Sequence, residues 1–148
     1  MKKIKLITFD LDDTLWDNVP TITRAEIDTR KWIENKVGKI EWGDFSDFLE
    51  LREILIKEDP IIEWDISKLR KEIFRKKLAH IEPLSLRNKL VEEAFSIFIN
   101  KRHEVELFDG VEDALKILSK KYILGVLTNG CLLYTSPSPR DATLSRMP

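Results

Sequence analysis

The sequence predicts an α/β fold interrupted by a long all-α insertion, and three features point to it. Two short apolar runs, Ile4 to Phe9 and Tyr122 to Leu127, have the length and content of buried strands and lie at opposite ends of the chain. Each stops abruptly in polar residues: Asp10-Leu11-Asp12-Asp13-Thr14 after the first, Thr128-Asn129-Gly130 after the second. Between them, apolar residues recur at helical spacing rather than in alternation.

The first run delivers acids to the end of a strand. Side chains of an extended strand repeat with period two, so Asp10 and Asp12 start out on one side of the backbone while Leu11 turns the other way. Two close carboxylates repel, and one takes up a proton unless a divalent cation is near. With such an ion, Asp10 stays ionised and nucleophilic while Asp12 exchanges protons, a pairing suited to phosphoryl transfer through an aspartyl-phosphate. Asp13 and Asp17 read instead as turn or capping residues. Trp16, just beyond the acids, is a candidate hinge or substrate wall.

Four amphipathic helices are predicted next. Pro20 suits a first helical turn, and Ile22, Ala25, Trp32, Ile33 and Val37 fall on or near one face before Gly38 breaks the pattern. Phe45, Phe48, Leu49, Leu51, Ile54 and Leu55 form a second stripe, stopped by Asp59-Pro60. Asp65 can cap a third, with Ile66, Leu69, Ile73 and Phe74 facing inward; a fourth follows Pro83 through Leu86, Leu90, Val91, Ala94, Phe95 and Phe98. The aromatics of these stripes, Trp32, Phe45 and Phe95 among them, are expected in the core. The interleaved charges of Lys68 to Lys77 read as a solvated face, not a nucleic-acid patch. His80 and His103 have no Cys or His partner at ligand spacing and are expected at the surface or at helix ends.

Phe108-Asp109-Gly110-Val111, followed by Ala114, Leu115, Ile117 and Leu118, predicts a turn and a further amphipathic helix leading into the second strand. A small hydroxyl at the end of that strand, Thr128, can donate to a phosphate oxygen, with exposed main-chain N–H groups beside it.

Asp10, Asp12 and Thr14 match D-x-D-x-[TV], the first motif of the haloacid dehalogenase (HAD) superfamily of hydrolases, and Thr128 stands where its second motif places a Thr or Ser. The chain resembles that family, whose Y-P-G-V-x-x-x-L helix also precedes the same strand. The resemblance implies an incomplete HAD-like Rossmannoid parallel-sheet core at residues 1–17 and 105–130, with an inserted all-α C1 cap at 18–104 that hinges over the catalytic loop. It also implies Asp10 as nucleophile and Asp12 as the acid that protonates the leaving oxygen. The Asp10 carboxylate and the Asp12 main-chain carbonyl would hold Mg2+, and Thr128, Asn129 and Thr14 the substrate phosphate. Haloacid dehalogenases proper carry tyrosine at the second acid and phosphonatases alanine, so Asp12 argues for a phosphatase.

Further matches concern the substrate. T-F-D-L-D-D-T-L-W-D-N-x-P, the segment Asp59 to Asp65 and the late T-N-G are similar to bacterial phosphatases of this family that act on 5-amino-6-(5-phosphoribitylamino)uracil, a riboflavin precursor, and on flavin mononucleotide. Other expectations of the same architecture are a sugar-phosphate phosphatase, a phosphomutase that returns the phosphoryl group to its substrate, or a non-catalytic helical binding module. The expected partner is a small-molecule phosphate ester, with no nucleic acid and no membrane.

Composition agrees. The chain of 148 residues is 43% hydrophobic and 34% charged with a net charge of -1, as in a soluble protein. Asp10 interrupts the first apolar run too early for a signal peptide, which predicts a cytoplasmic enzyme. Residues 131–148 break the pattern, holding half of the six prolines, the single cysteine and no Lys, Glu or Ile. They resemble translated adaptor or vector sequence and are expected to be non-native or disordered.

The family also needs a later lysine and one or two acids after a later strand. The chain has no Lys after Lys121, and Asp141 lies in the aberrant tail. A Mg2+ site deprived of those carboxylates is weak, so the 148-residue chain is expected to show little or no turnover of para-nitrophenyl phosphate. Robust turnover by the purified chain would contradict this.

Overall fold

The structure is a computed structural model that describes residues 4–128. Its elements in chain order are β1 (Leu6–Phe9), α1 (Asn18–Val37), α2 (Phe45–Glu58), a short 3-10 helix (Pro60–Glu63), α3 (Ile66–Lys77), α4 (Leu84–Arg102), α5 (Val111–Ser119) and β2 (Ile123–Val126). The chain divides into two compact units. One comprises the residues up to Thr21 and those from Glu104 onward; the other is Ile22–His103.

In the first unit, β1 and β2 pair in parallel, with Leu6 opposite Ile123, Ile7 opposite Leu124, Thr8 opposite Gly125 and Phe9 opposite Val126. Parallel strands cannot be joined by a tight turn and need a long connection; the helical insertion is part of it. Burial here is thinner than two core strands would suggest. Leu124 and Gly125 are buried, but Ile4, Leu6 and Ile123 are exposed. Helix α5 starts at Gly110, which has φ of 81° and supplies the left-handed turn residue, and it too buries no residue fully.

The helical unit follows its local signals closely. Asp44 and Asp47 form a capping box on α2: Asp44 Oδ1 accepts from the main-chain N–H of Ser46 at 2.7 Å and of Asp47 at 3.1 Å, and Asp47 Oδ2 accepts from Asp44 N–H at 2.8 Å. Asp59 terminates α2 and accepts from Ile61 N–H at 3.2 Å, opening the 3-10 turn with Pro60 at its first position. Asp65 caps α3 by accepting from Lys68 N–H at 2.8 Å. Arg75, Lys76 and Lys77 occupy the last turn of α3, where cations offset the carbonyl end of the helix dipole. His80 and His103 are exposed at the ends of α3 and α4.

Apolar clusters of buried side chains hold this unit together. Ile33, Ile40, Phe74, Leu78, Leu90, Val91 and Ala94 form one, with Trp32, Val37, Trp42 and Ile81 packed around it. Leu55, Ile62, Leu69 and Ile73 form another, between α2, the 3-10 turn and α3. Along α1 the buried positions recur every fourth residue, at Thr21, Ala25, Thr29 and Ile33. The buried Thr29 hydroxyl is satisfied within the helix, donating to the Ala25 carbonyl at 2.7 Å. Charges at the surface of α3 pair with neighbouring helices, as Lys71 does with Glu92 at 2.6 Å and Lys76 with Glu58 at 3.2 Å.

Several residues of the predicted apolar stripes depart from this picture. Phe45 is 74% exposed, whereas Phe95 is buried and Trp32 half-buried. Helical side chains lean toward the N-terminus, so a residue in the first turn of α2 projects past the part of the helix that α3 and the 3-10 turn cover. Phe45 instead stacks on Phe48, with ring centroids 6.3 Å apart and planes 16° from parallel. Leu49, Ile54, Ile66 and Leu86 are likewise more exposed than their stripes imply. Among the described residues, no helix is long and apolar enough to cross a membrane.

The two glycines that bracket the α1–α2 connection differ in a way that can be measured. Gly38 has φ of 88° and open space where a Cβ would sit. Gly43 has φ of 75°, and its Cβ would lie 2.5 Å from Asp47 Oδ2. Gly38→Ala should therefore cost only the left-handed strain, about 1 kcal/mol. Gly43→Ala adds disruption of the capping box, for a total of about 2 kcal/mol. Urea denaturation followed by circular dichroism tests this, and equal costs at the two positions would refute it.

Candidate active site

The strand register fixes where the candidate residues stand. Phe9 and Val126 are the last paired residues, and the ladder is extended by one hydrogen bond from Leu127 N–H to the Phe9 carbonyl at 2.9 Å. Asp10 leaves β1, and Leu127-Thr128 leave β2, at the same end of a parallel pair. In open parallel sheets, ligands bind beyond this carboxyl end of the strands.

The loop after β1 is held both by its own hydrogen bonds and by a tie to the segment before α5. The Leu11 carbonyl accepts from both Thr14 N–H at 3.2 Å and Leu15 N–H at 2.9 Å, which rolls the chain into a tight turn. Asp13 adopts a left-handed conformation, φ 57°, which Asp tolerates better than most residues. Leu15 is buried, and its carbonyl accepts from Phe108 N–H at 2.9 Å, while Trp16 bridges to Leu107 in antiparallel fashion. The loop is thereby tied to the segment that precedes α5.

Within this loop the four acids divide by role. Asp10 is exposed, and its Oδ1 accepts from the N–H of Leu11 at 2.8 Å, which orients the carboxylate at the strand end. Asp12 is half-buried and accepts from the indole Nε1–H of Trp16 at 3.1 Å. Asp13 caps the start of α1 by accepting from Asn18 N–H at 2.9 Å, and Asp17 accepts from Val19 N–H at 2.9 Å. The turn and capping roles expected of Asp13 and Asp17 are thus what these two side chains perform. Thr14 is exposed on the same loop, and Thr128 is half-buried beyond β2. Asn129 lies outside the described residues, as do Gly130 and the tail.

Trp16 has a part the sequence did not disclose. Its indole Nε1–H is committed to the second carboxylate of the motif, four residues back. That spacing is the one signal in the sequence that could have suggested the contact.

Chemically, the loop offers hard oxygen donors at a strand end. The Asp10 carboxylate and the Asp12 main-chain carbonyl are the kind of ligand Mg2+ takes, and that ion is commonly bound by one or two carboxylates together with substrate oxygens and water. Among the described residues no group of three or more acids, histidines or cysteines gathers around a metal position. The donors present fit Mg2+ in kind and constitute only part of a full set.

Comparison with known proteins bears on the whole of this arrangement. Residues 4–132 match the family model described as haloacid dehalogenase-like hydrolase. The 5-amino-6-(5-phospho-D-ribitylamino)uracil phosphatase YigB of Escherichia coli (strain K12) is 32% identical over 136 residues, which cover 86% of this chain and 54% of that protein. The crystal structure of 2-haloacid dehalogenase from Pseudomonas syringae pv. Tomato DC3000 superposes with a TM-score of 0.76 at 38% identity, covering 87% of this chain and 56% of the other. The chain spans about half the length of both proteins.

The left-handed Asp13 makes the rigidity of the loop testable. Asp13→Ala loses the cap on α1, worth about 1 kcal/mol, and retains a backbone strained by about a further 1 kcal/mol. Asp13→Gly loses the same cap but relieves the strain, so it should be the less destabilising of the two, and Asp13→Asn should be close to neutral. Thermal unfolding of the three variants gives the order, and Ala above Gly in stability would show that the backbone conformation is wrongly assigned.

Proposed function

The chain belongs to the haloacid dehalogenase-like hydrolases, and from that premise we propose that it is the nucleophile-bearing half of a Mg2+-dependent phosphomonoester hydrolase that works through an aspartyl-phosphate. One observation carries the choice of phosphatase over dehalogenase: the second acid of the motif is a carboxylate, Asp12, held in place by the Trp16 indole beside a solvent-facing Asp10. The relative of known crystal structure is a 2-haloacid dehalogenase. A carbon–halogen bond releases halide, which needs no proton, whereas an ester oxygen does.

In this mechanism an Asp10 carboxylate oxygen attacks phosphorus and the P–O bond to the alcohol breaks. Asp12 donates its proton to the departing oxygen. A water then attacks the aspartyl-phosphate, giving its proton to Asp12 and releasing inorganic phosphate, which restores both side chains. The indole bond to Oδ1 of Asp12 orients the carboxyl group that carries the proton. Thr14 and Thr128 donate hydroxyl hydrogen bonds to the phosphate oxygens, and Asn129, next to Thr128 in sequence, adds a further donor. Mg2+ bound at the Asp10 carboxylate and the Asp12 carbonyl would offset the negative charge of phosphate and nucleophile.

The helical unit Ile22–His103 serves as the cap of this hydrolase, its residues supplying selection of the leaving group. For the substrate, the similarity to a ribitylaminouracil-phosphate phosphatase supports a phosphate ester of a riboflavin-pathway intermediate or flavin mononucleotide.

A chimera joining residues 1–130 to the remaining C-terminal portion of the E. coli relative tests the reading. It should release inorganic phosphate from phosphate monoesters in the presence of Mg2+, and Asp10→Asn should abolish release. Asp12→Asn should lower turnover about 10²–10⁴-fold. With para-nitrophenyl phosphate, whose leaving group needs little protonation, that variant should still give a burst of nitrophenolate before stalling. A chimera with no Mg2+-dependent phosphate release would sink the proposal; equal rates on flavin-type and simple sugar phosphates would sink only the narrower substrate assignment.

A further inference from the structure

A cleft of about 530 Å³ opens in the helical unit where α1, the start of α2 and α3 meet. That volume is within the range of about 300–1,000 Å³ typical of small-molecule sites. Its walls differ in character. Ile22, Ile27, Phe45 and Phe48 supply apolar lining, and Arg30, Arg70 and Glu26 supply charged lining.

The arginines share one carboxylate. Arg30 Nε donates to Glu26 Oε1 at 2.9 Å, and Arg70 Nη1 donates to Glu26 Oε2. A guanidinium has five N–H donors, and among the described residues Glu26 is the only group to which either is seen to donate. Both guanidinia are nevertheless fixed in place. Arg30 lies 5.0 Å from the centre of the Trp42 ring, and Arg70 sits 3.7 Å above Phe98. Stacking holds the fork without consuming its in-plane donors.

The charge balance favours an anion. Two cations face one acid in the pair network, and the other acid on the wall, Asp44, commits its carboxylate to the N-terminus of α2. Burial pushes the Arg70 guanidinium below the ordinary arginine range; Glu26 opposes that shift, while the neighbouring charges of Arg30 and Arg102 add to it. The side chain of Arg70 is only 18% exposed. Spare donors on a nearly buried cation attract an oxyanion more strongly than the same group would in water.

We propose that this cleft is a binding site for a small molecule that carries one carboxylate or phosphate group on a flat apolar body, the oxyanion bridging Arg30 and Arg70 and the body lying against Phe45 and Phe48. Glu26 acts as a resident placeholder that keeps the two guanidinia aligned. The exposed Phe45, out of place as a core residue, has a use here. The site lies wholly within Ile22–His103 and does not depend on the phosphatase assignment.

The test follows the side-chain Nε–H signals of Arg30 and Arg70 by nuclear magnetic resonance on the whole chain in a metal-free buffer, titrating benzoate, phenyl phosphate and methyl phosphate. Phenyl phosphate or benzoate should shift both signals saturably with a dissociation constant of about 1 mM or below. Methyl phosphate should bind roughly tenfold more weakly for want of an apolar body. Whichever of the two aromatic probes binds more tightly identifies the oxyanion. Arg30→Gln and Arg70→Gln should each weaken binding roughly tenfold. Glu26→Gln should strengthen it several-fold by removing the internal competitor, an effect in the opposite direction to a loss of fold. If Arg70→Gln does not fold, Arg70→Lys replaces it, keeping the charge but losing the fork, and should still weaken binding several-fold. Asp10→Ala should leave all of these shifts in place, which separates the site from the catalytic loop. Absence of any shift at either arginine up to about 10 mM probe, or unchanged affinity in the arginine variants, overturns the proposal.

Discussion

Everything proposed for the catalytic loop depends on the parallel pairing of Leu6–Phe9 with Ile123–Val126. The two strands come from opposite ends of the chain, and their register decides that Asp10 and Thr128 leave the sheet at the same end. A shift of one residue would turn every side chain of a strand to the opposite face. It would also break the bond from Leu127 N–H to the Phe9 carbonyl, the last rung before the acids. Closing so long a connection costs entropy, but that cost grows only with the logarithm of its length. A whole helical unit can therefore sit within the connection at little more expense than a shorter crossover.

Much of this was readable in the residues because the signals are local. An apolar run ending in acids marks a strand and its exit, and Asp59-Pro60 and Asp65 mark a helix stop and a helix start through bonds to their own neighbouring N–H groups. Asp13 and Asp17 behave as caps for the same reason. Coverage was harder to read. Periodicity tells which residues share a face, but another element must lie over that face to bury it, and nothing within a stripe says where that element ends. Phe45 and Leu86 lie in the first turns of their helices, beyond their neighbours, and are exposed. The bond between Trp16 and Asp12 was hidden for a related reason: a loop has no period, so side chains four residues apart meet only if the backbone rolls up. The structure supplies the cause of that roll in the Leu11 carbonyl and the left-handed Asp13.

The second position of the motif shows how little of a fold decides its chemistry. This chain superposes well on a 2-haloacid dehalogenase and is also similar to a phosphatase. Layers and topology cannot choose between them. What differs between the reactions is whether a proton must reach the leaving atom, and a carboxyl group at residue 12 can carry one. Trp16 gives that carboxyl a fixed orientation without adding charge, because an indole donates one hydrogen bond and accepts none.

The two units hold their shapes by different means, and this has consequences for how the candidate residues are kept in place. Most of the fully buried apolar side chains among the described residues belong to the helical unit, where one cluster joins the successive α2, 3-10 turn and α3 and another brings α1 against α3 and α4. Among the described residues the strand unit contributes Leu15 and Leu124 to the buried apolar set, beside its ladder and loop hydrogen bonds. A hydrogen bond adds only about 1 kcal/mol net, so the order of the Asp10–Asp13 segment comes from many small terms acting together. Such a loop is specified by geometry rather than by burial, and it loses definition when any one anchor is removed. The acids are thus held on the less deeply packed part of the chain, while the arginine cleft is built into the part with the larger core.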